Sequence, residues 1–163
     1  MPVSKQAYRE AMARLGAAVN VITTDGPGGR SGFTASAVCS VTDDPPTLLV
    51  CVNRSNDSHP PLKANGVLCV NTLTASQQDL SPVFAGLTDH TAEQRFDSGH
   101  WYRLVTGAPV LTGAAVAFDC RVTQRVEVST HDVFFCEVQG IAEGDVHEGL
   151  IYYGRTYHPV RLL

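Results

Sequence analysis

No stretch of this 163-residue chain approaches the roughly 20 consecutive apolar residues that a membrane-spanning helix needs. Its first residues, MPVSKQAYREAMARLG, hold no apolar run of the sort a secretion signal carries, so the sequence predicts a soluble, cytoplasmic protein. A basic stripe is missing too. With a net charge of -4 and a pI near 5.8, the chain offers little to nucleic acid or an anionic membrane surface, which both need concentrated Lys and Arg. The five cysteines are odd in number and never form C-x-x-C, and the six histidines are scattered through loop-like segments without H-E-x-x-H. Neither a zinc site nor a disulfide framework is expected, and the cysteines read as small core hydrophobes of a reduced compartment. An Asn56-Asp57-Ser58 sequon stands without a secretion signal and reads as chance. Internal repeats, low-complexity tracts and linkers are absent as well. One domain over residues 1–163 is expected, and 44% hydrophobic content is enough to bury a core without staples.

What the chain does have is strand-like alternation. An amphipathic helix over 4–15, capped by Ser4 with Tyr8, Ala11, Met12 and Leu15 on one face, precedes a strand at 18–24, a glycine-rich turn at 25–32 and a strand at about 33–42. Apolar runs at 47–53 and 67–73 read as buried strands, with a short helix ending near Gly66 between them. Ser76 and Asp79 resemble a capping box opening another short helix, which must tolerate Pro82. Residues 87–110 give only a mixed helix-and-loop excursion. From Val116 to Val128 apolar Val116, Phe118, Cys120, Val122, Val126 and Val128 share one face, as in a half-exposed antiparallel strand. A short hairpin loop at 129–132 leads into a strand at 133–141, and 149–160 supplies a last strand and tail. Strands joined by turns rather than by regular helices favour a mainly β, antiparallel barrel with peripheral helices.

Most motif-like features point to no chemistry. Ser129, His131 and Asp132 are nearly consecutive turn residues and do not give the linear geometry of a hydrolytic triad. The GPGGRSG run is followed by a strand, so no helix N-terminus is offered to a pyrophosphate. The strand at 33–42 is different. Phe33, Ala35, Ala37, Cys39 and Val41 alternate with Thr34, Ser36, Ser40 and Thr42, giving one greasy face and one lined by small neutral hydroxyls. Such groups suit an uncharged, planar, hydrogen-bonding ligand, and Arg54, Ser55 and Ser58 in the next loop suit a phosphate. A Thr/Ser-rich edge strand in water is equally compatible with that composition.

A resemblance separates these two readings. The segments GAAVNVITT (16–24), GFTASAVCSVTDDPPTLLVCVNR (32–54), LCVNTL (68–73), FAG (84–86), EQRF (93–96), FDCRV (118–122), THD (130–132) and GLIYYGRTYHPV (149–160) closely resemble, in order, the short-chain flavin reductases. These are the reductase components of two-component flavin monooxygenases. THDVFFCEV leans toward the pyrimidine-catabolism FMN reductase branch, and GLIYY and YHPV toward the 4-hydroxyphenylacetate 3-monooxygenase reductase branch.

The resemblance covers about residues 6 to 160 and implies a split β-barrel of the FMN-binding type, acting as a homodimer with flavin at the barrel wall and dimer interface. The implied activity is reduction of FMN or FAD by NADH or NADPH, with reduced flavin passing to a separate oxygenase. The lack of an Arg cluster for a 2′-phosphate favours NADH. Phe33, Thr34, Ala35 and Ser36 would lie along the isoalloxazine, Ser40 and Asn53 would line the ribityl or phosphate end, and Arg54, Ser55 and Ser58 would meet the phosphate. Many relatives have Gly-Asp-His where this chain has Ser129-Thr130-His131, so His131 would contact the nicotinamide while no role passes to an acid before it. His158 matches a second position near the pocket, and Tyr157 would pack there or fill the barrel mouth. The competing class is a non-catalytic flavin- or haem-binding split barrel, since fold does not dictate function.

Overall fold

A computed structural model of the chain describes residues 1–144 and 147–163. Its main sheet contains seven strands: β2 (Asn20–Thr24), β3 (Ser31–Ala35), β4 (Val38–Asp43), β5 (Pro46–Asn53), β6 (Val67–Thr72), β9 (Val116–Val128) and β10 (His131–Glu143). They run in the order β3-β2-β6-β9-β10-β5-β4, and every neighbouring pair is antiparallel. The two edge strands are consecutive in sequence, with Ser36 and Ala37 alone between them. Three peptide links span at most about 11 Å, so the sheet curls until its edges meet at that corner. This is the split-barrel form that the alternation and the resemblance led us to expect.

The expected single strand at 33–42 is therefore two. Phe33, Thr34 and Ala35 pair with β2, whereas Val38, Cys39 and Ser40 pair with β5. Side-chain alternation continues through the corner and carries no information about which neighbour is paired. The expected strand and tail at 149–160 is likewise a hairpin, β11 (Glu148–Tyr153) and β12 (Thr156–Arg161), turning through Gly154 and Arg155, both at φ 60°. It forms a small sheet with β1 (Ala17–Ala18). Within the excursion, β7 (Trp101–Arg103) pairs with β8 (Pro109–Leu111).

One irregularity decides which way side chains point. Phe135 pairs with Gln124 but Cys136 pairs with Val122, leaving Thr123 as an extra residue in β9. Such a bulge reverses the inward and outward assignment beyond it. Phe118, Cys120 and Val122 belong with the core, while Val126 and Val128 are exposed and Arg125 turns inward. The single apolar face expected for 116–128 is thus divided between the two sides of the sheet. Asp119, which alternates with that apolar face, is fully buried: the 104–108 loop covers it, and it accepts from the backbone N–H groups of Val105 and Thr106 and the Thr106 hydroxyl.

The barrel core joins Ile22, Phe33, Leu48, Val50, Val52, Leu68 and Phe134. A second cluster outside it stacks Phe84, Phe96 and Trp101 edge-to-face at 5.1–5.6 Å. Of the cysteines, Cys69, Cys120 and Cys136 are buried as expected, but Cys51 on β5 is half-buried and Cys39 is exposed on edge strand β4, where every residue after Val38 is exposed.

Helix α1 (Lys5–Met12) is capped by Ser4, whose hydroxyl accepts from the Ala7 N–H at 3.1 Å. None of its residues is buried, so the apolar face with Tyr8, Met12 and, just past its end, Leu15 looks outward. Helix α2 (His59–Asn65) ends at Gly66 in the left-handed conformation, φ 65°. The capping box expected at Ser76 and Asp79 is instead formed by Thr74 and Gln77, two residues earlier. In α3 (Leu80–Phe84) Pro82 sits in the first turn, where no intrahelical N–H bond is forfeited. No helix among the described residues is long and apolar enough to cross a membrane.

Candidate active site

At the corner between β3 and β4 a cavity of about 230 Å³ opens, lined by Thr34, Ala35, Ser36, Ser81, Tyr152 and Tyr157 with apolar Val19, Ala85 and Leu87. The hydroxyls in it are held in a chain. Thr34 Oγ1 donates to the Ser81 carbonyl at 2.7 Å, and the Ser81 and Tyr157 hydroxyls lie 2.6 Å apart. Buried Asn20 on β2 fixes the end of β3 by donating to the Ala35 carbonyl at 3.1 Å. Since β3 pairs on one side only, alternate N–H and C=O groups along it face away from the sheet. Hydroxyls, edge backbone and aromatic rings, with no charged side chain among the lining residues, form a donor and acceptor set fitted to a neutral heteroaromatic ring.

Register brings a second group to the same end of the barrel. Val38 pairs with Val50, and the Ala37 carbonyl continues the ladder by accepting from the Cys51 N–H, so the chain runs back from β4 toward Ser36 as β5 runs forward to Asn53. Asn53 in turn pairs with His131 at the start of β10. Ser36, Asn53 and His131 thus lie along one end of three adjoining strands. His131 is half-buried, with Nδ1 2.8 Å from the Thr130 hydroxyl. Asn53 Oδ1 accepts from both the backbone N–H and the hydroxyl of Ser55 at 2.9 Å, shaping the loop that follows β5.

The remaining candidates are placed differently. Phe33 is a core residue, and its ring packs inside the barrel. Ser58 is fully buried, its hydroxyl 2.7 Å from that of Ser31. Ser40 is exposed on β4 opposite Leu48, four residues beyond Ser36. His158 follows Tyr157 on β12, so alternation turns it away from the cavity side, and its Nε2 lies 3.1 Å from the Tyr153 carbonyl. Arg54 reaches back to the 129–131 turn, donating to the Ser129 and His131 carbonyls and to Asp132.

Sequence reasoning gave Asp132 no role, yet the carboxylate is completely buried and accepts from His59, Arg125 and Arg54 at 2.6, 3.0 and 3.1 Å. Burial alone would raise its pKa, but the hydrogen bonds from His59, then Arg125 and Arg54, outweigh it and hold the group down at about 2. A signal was present: Asp132, Phe134 and Cys136 share one parity, and the last two are plainly core residues. Nothing local marked His59, Ser81 or Tyr152, which arrive from other elements.

Residues 12–161 match the family described as flavin reductase like domain, and the chain belongs to that family. Among its relatives, FMN reductase (NADH) RutF of Ancylobacter novellus is 62% identical over 158 residues, 97% of this chain and 86% of the relative. A crystal structure described as a flavin reductase from Haemophilus somnus 129PT superposes with a TM-score of 0.92 at 45% identity, over 97% of this chain and all of the other. BorF, the flavin reductase component of a bacterial two-component tryptophan halogenase, gives 0.88 at 26% identity, over 98% of this chain and all of the other.

Proposed function

We propose that the protein is an NADH-dependent FMN reductase that passes reduced flavin to a separate flavin-dependent oxygenase. The observation that carries this is the 62% identity across 97% of the chain with an FMN reductase (NADH). The neutral donor set of the Thr34–Ser36 cleft supports it.

When bound, the nicotinamide supplies a hydride and the flavin accepts it, so the protein's share is to bind, orient and bring together. Thr34, Ala35 and Ser36 hydrogen-bond the polar edge of the flavin ring through hydroxyls and backbone. Asn53 and the loop from residue 54 face its ribityl phosphate end. His131 contacts the nicotinamide from the neighbouring hairpin. No side chain acts as a nucleophile. BorF supports the proposed hand-over, since it is the reductase half of a two-component enzyme.

The working unit is a homodimer. Opposite residues in an antiparallel sheet share a face, so Leu49 with Phe135, Cys51 with Val133 and Val126, and Val128 beside His131 form one outward apolar surface. Val126 and Val128 are 38% and 54% exposed. A second copy covers this surface and closes the site beside His131. Five unpaired cysteines suit the cytoplasm.

The test is to follow nicotinamide absorbance in air with NADH or NADPH and FMN, FAD or riboflavin added in turn. Rapid loss of NADH that depends on added FMN is expected. Flavin binding without nicotinamide consumption would instead make the protein a carrier.

A further inference from the structure

Three consecutive carbonyls of the 129–131 turn are each met by a donor from one residue. The Arg54 guanidinium donates to the Ser129 carbonyl and, at 3.0 Å, to the His131 carbonyl, and the Arg54 backbone N–H donates to the Thr130 carbonyl between them, also at 3.0 Å. The nitrogen that reaches His131 also reaches Asp132 Oδ1 at 3.1 Å. The other Asp132 oxygen is held by His59 at 2.6 Å and Arg125 at 3.0 Å. Ser129 has φ 51°, a left-handed conformation that a non-glycine residue keeps only when its surroundings enforce it.

Alternation gives this cage its purpose. His131 and Asp132 are adjacent and face opposite sides of β10, so anchoring Asp132 inside fixes the backbone from which His131 points outward. The Arg54 side chain is 38% exposed, which made it look free for a phosphate. Both terminal nitrogens are nevertheless engaged, and turning them toward a ligand would strip the turn of its donors and weaken the pairing of a buried carboxylate.

Resting on the nicotinamide role given to His131 above, we propose that Arg54, backed by Asp132, is the positioning residue for His131 and not a ligand of the flavin phosphate. A planar fork reaching several acceptors is a task that lysine does not reproduce, whereas a phosphate accepts either cation.

The experiment uses the full chain with Arg54→Lys, Arg54→Met, His131→Ala and the Arg54→Lys/His131→Ala double variant. FMN and riboflavin dissociation constants are read by fluorescence, and kcat and KM for NADH from turnover. Both Arg54 variants should raise KM for NADH about tenfold, inside the ~100-fold that a small misplacement costs, while FMN and riboflavin affinities each stay within about threefold. Arg54→Lys should add little to His131→Ala, because the two act as one unit. If Arg54→Met weakens FMN but not riboflavin and Arg54→Lys restores it, Arg54 is a phosphate ligand and the inference is overturned. Full additivity of the double variant overturns it too. Should Arg54→Met not fold, Arg54→Lys and the double variant still decide. A silent His131→Ala would remove the nicotinamide role itself, whereas an impaired His131→Ala beside silent Arg54 variants removes only the positioning role.

Discussion

His131 and Asp132 show how much one residue of offset decides. The first lies half-exposed at the end of the sheet and the second is sealed among His59, Arg54 and Arg125. If His131 has the nicotinamide role proposed for it, substituting it by Ala should raise KM for NADH by about tenfold while changing flavin affinity far less; equal damage to both would refute that role. Asp132 carries a pH signature. Its folded pKa of about 2 lies below the ordinary 3.8, so its network stabilises the fold above 3.8 and that stabilisation is lost as pH falls through about 2. Urea unfolding across this window should show a flatter pH dependence for Asp132→Asn than for the wild type. Among the thiols, burial pushes Cys136 up to about 12 and raises Cys69 and Cys120 as well, whereas Cys39 is exposed. A thiol reagent applied to the folded protein should label Cys39 fast and those three only after unfolding; rapid labelling of all five would contradict the packing.

At the scale of elements, alternation and breakers in the sequence located most of the large strands, the glycine-rich hairpin and the Gly66 helix end. Three features stayed hidden for a common reason: each depends on what lies across the ladder. Residues 33–42 alternate without interruption while changing partner at Ser36 and Ala37. The extra Thr123 leaves the sequence pattern of β9 intact but reverses its faces. The corner at Gly154 and Arg155 turns what reads as a tail into a strand that places Tyr157 in the cleft. The site was legible in part: the cavity is lined by Thr34, Ala35 and Ser36, and strand pairing sets Asn53 opposite His131, whereas Phe33 and Ser58 are inside the fold. Because Phe134 on β10 is 1% exposed in the barrel core, Phe134→Ala should cost about 3–5 kcal/mol. A chemical denaturation curve checks this, and a loss under 1 kcal/mol would show that the cavity collapses.

The whole molecule has apolar surface that its own chain leaves open, on the outward sheet face and along α1. Val126→Glu with Val128→Glu should convert the proposed dimer to monomers in sedimentation velocity at micromolar concentration, with loss of turnover because Val128 pairs with His131 on that face. Dimers that persist would move the interface elsewhere.

The most direct measurement mixes the protein, FMN and NADH without oxygen in a stopped-flow instrument and follows 340 and 450 nm together. Nicotinamide and flavin absorbance should fall at one shared rate, slowed in parallel by His131→Ala at subsaturating NADH. Flavin that stays oxidised while NADH remains would contradict the assignment of this cleft to hydride transfer.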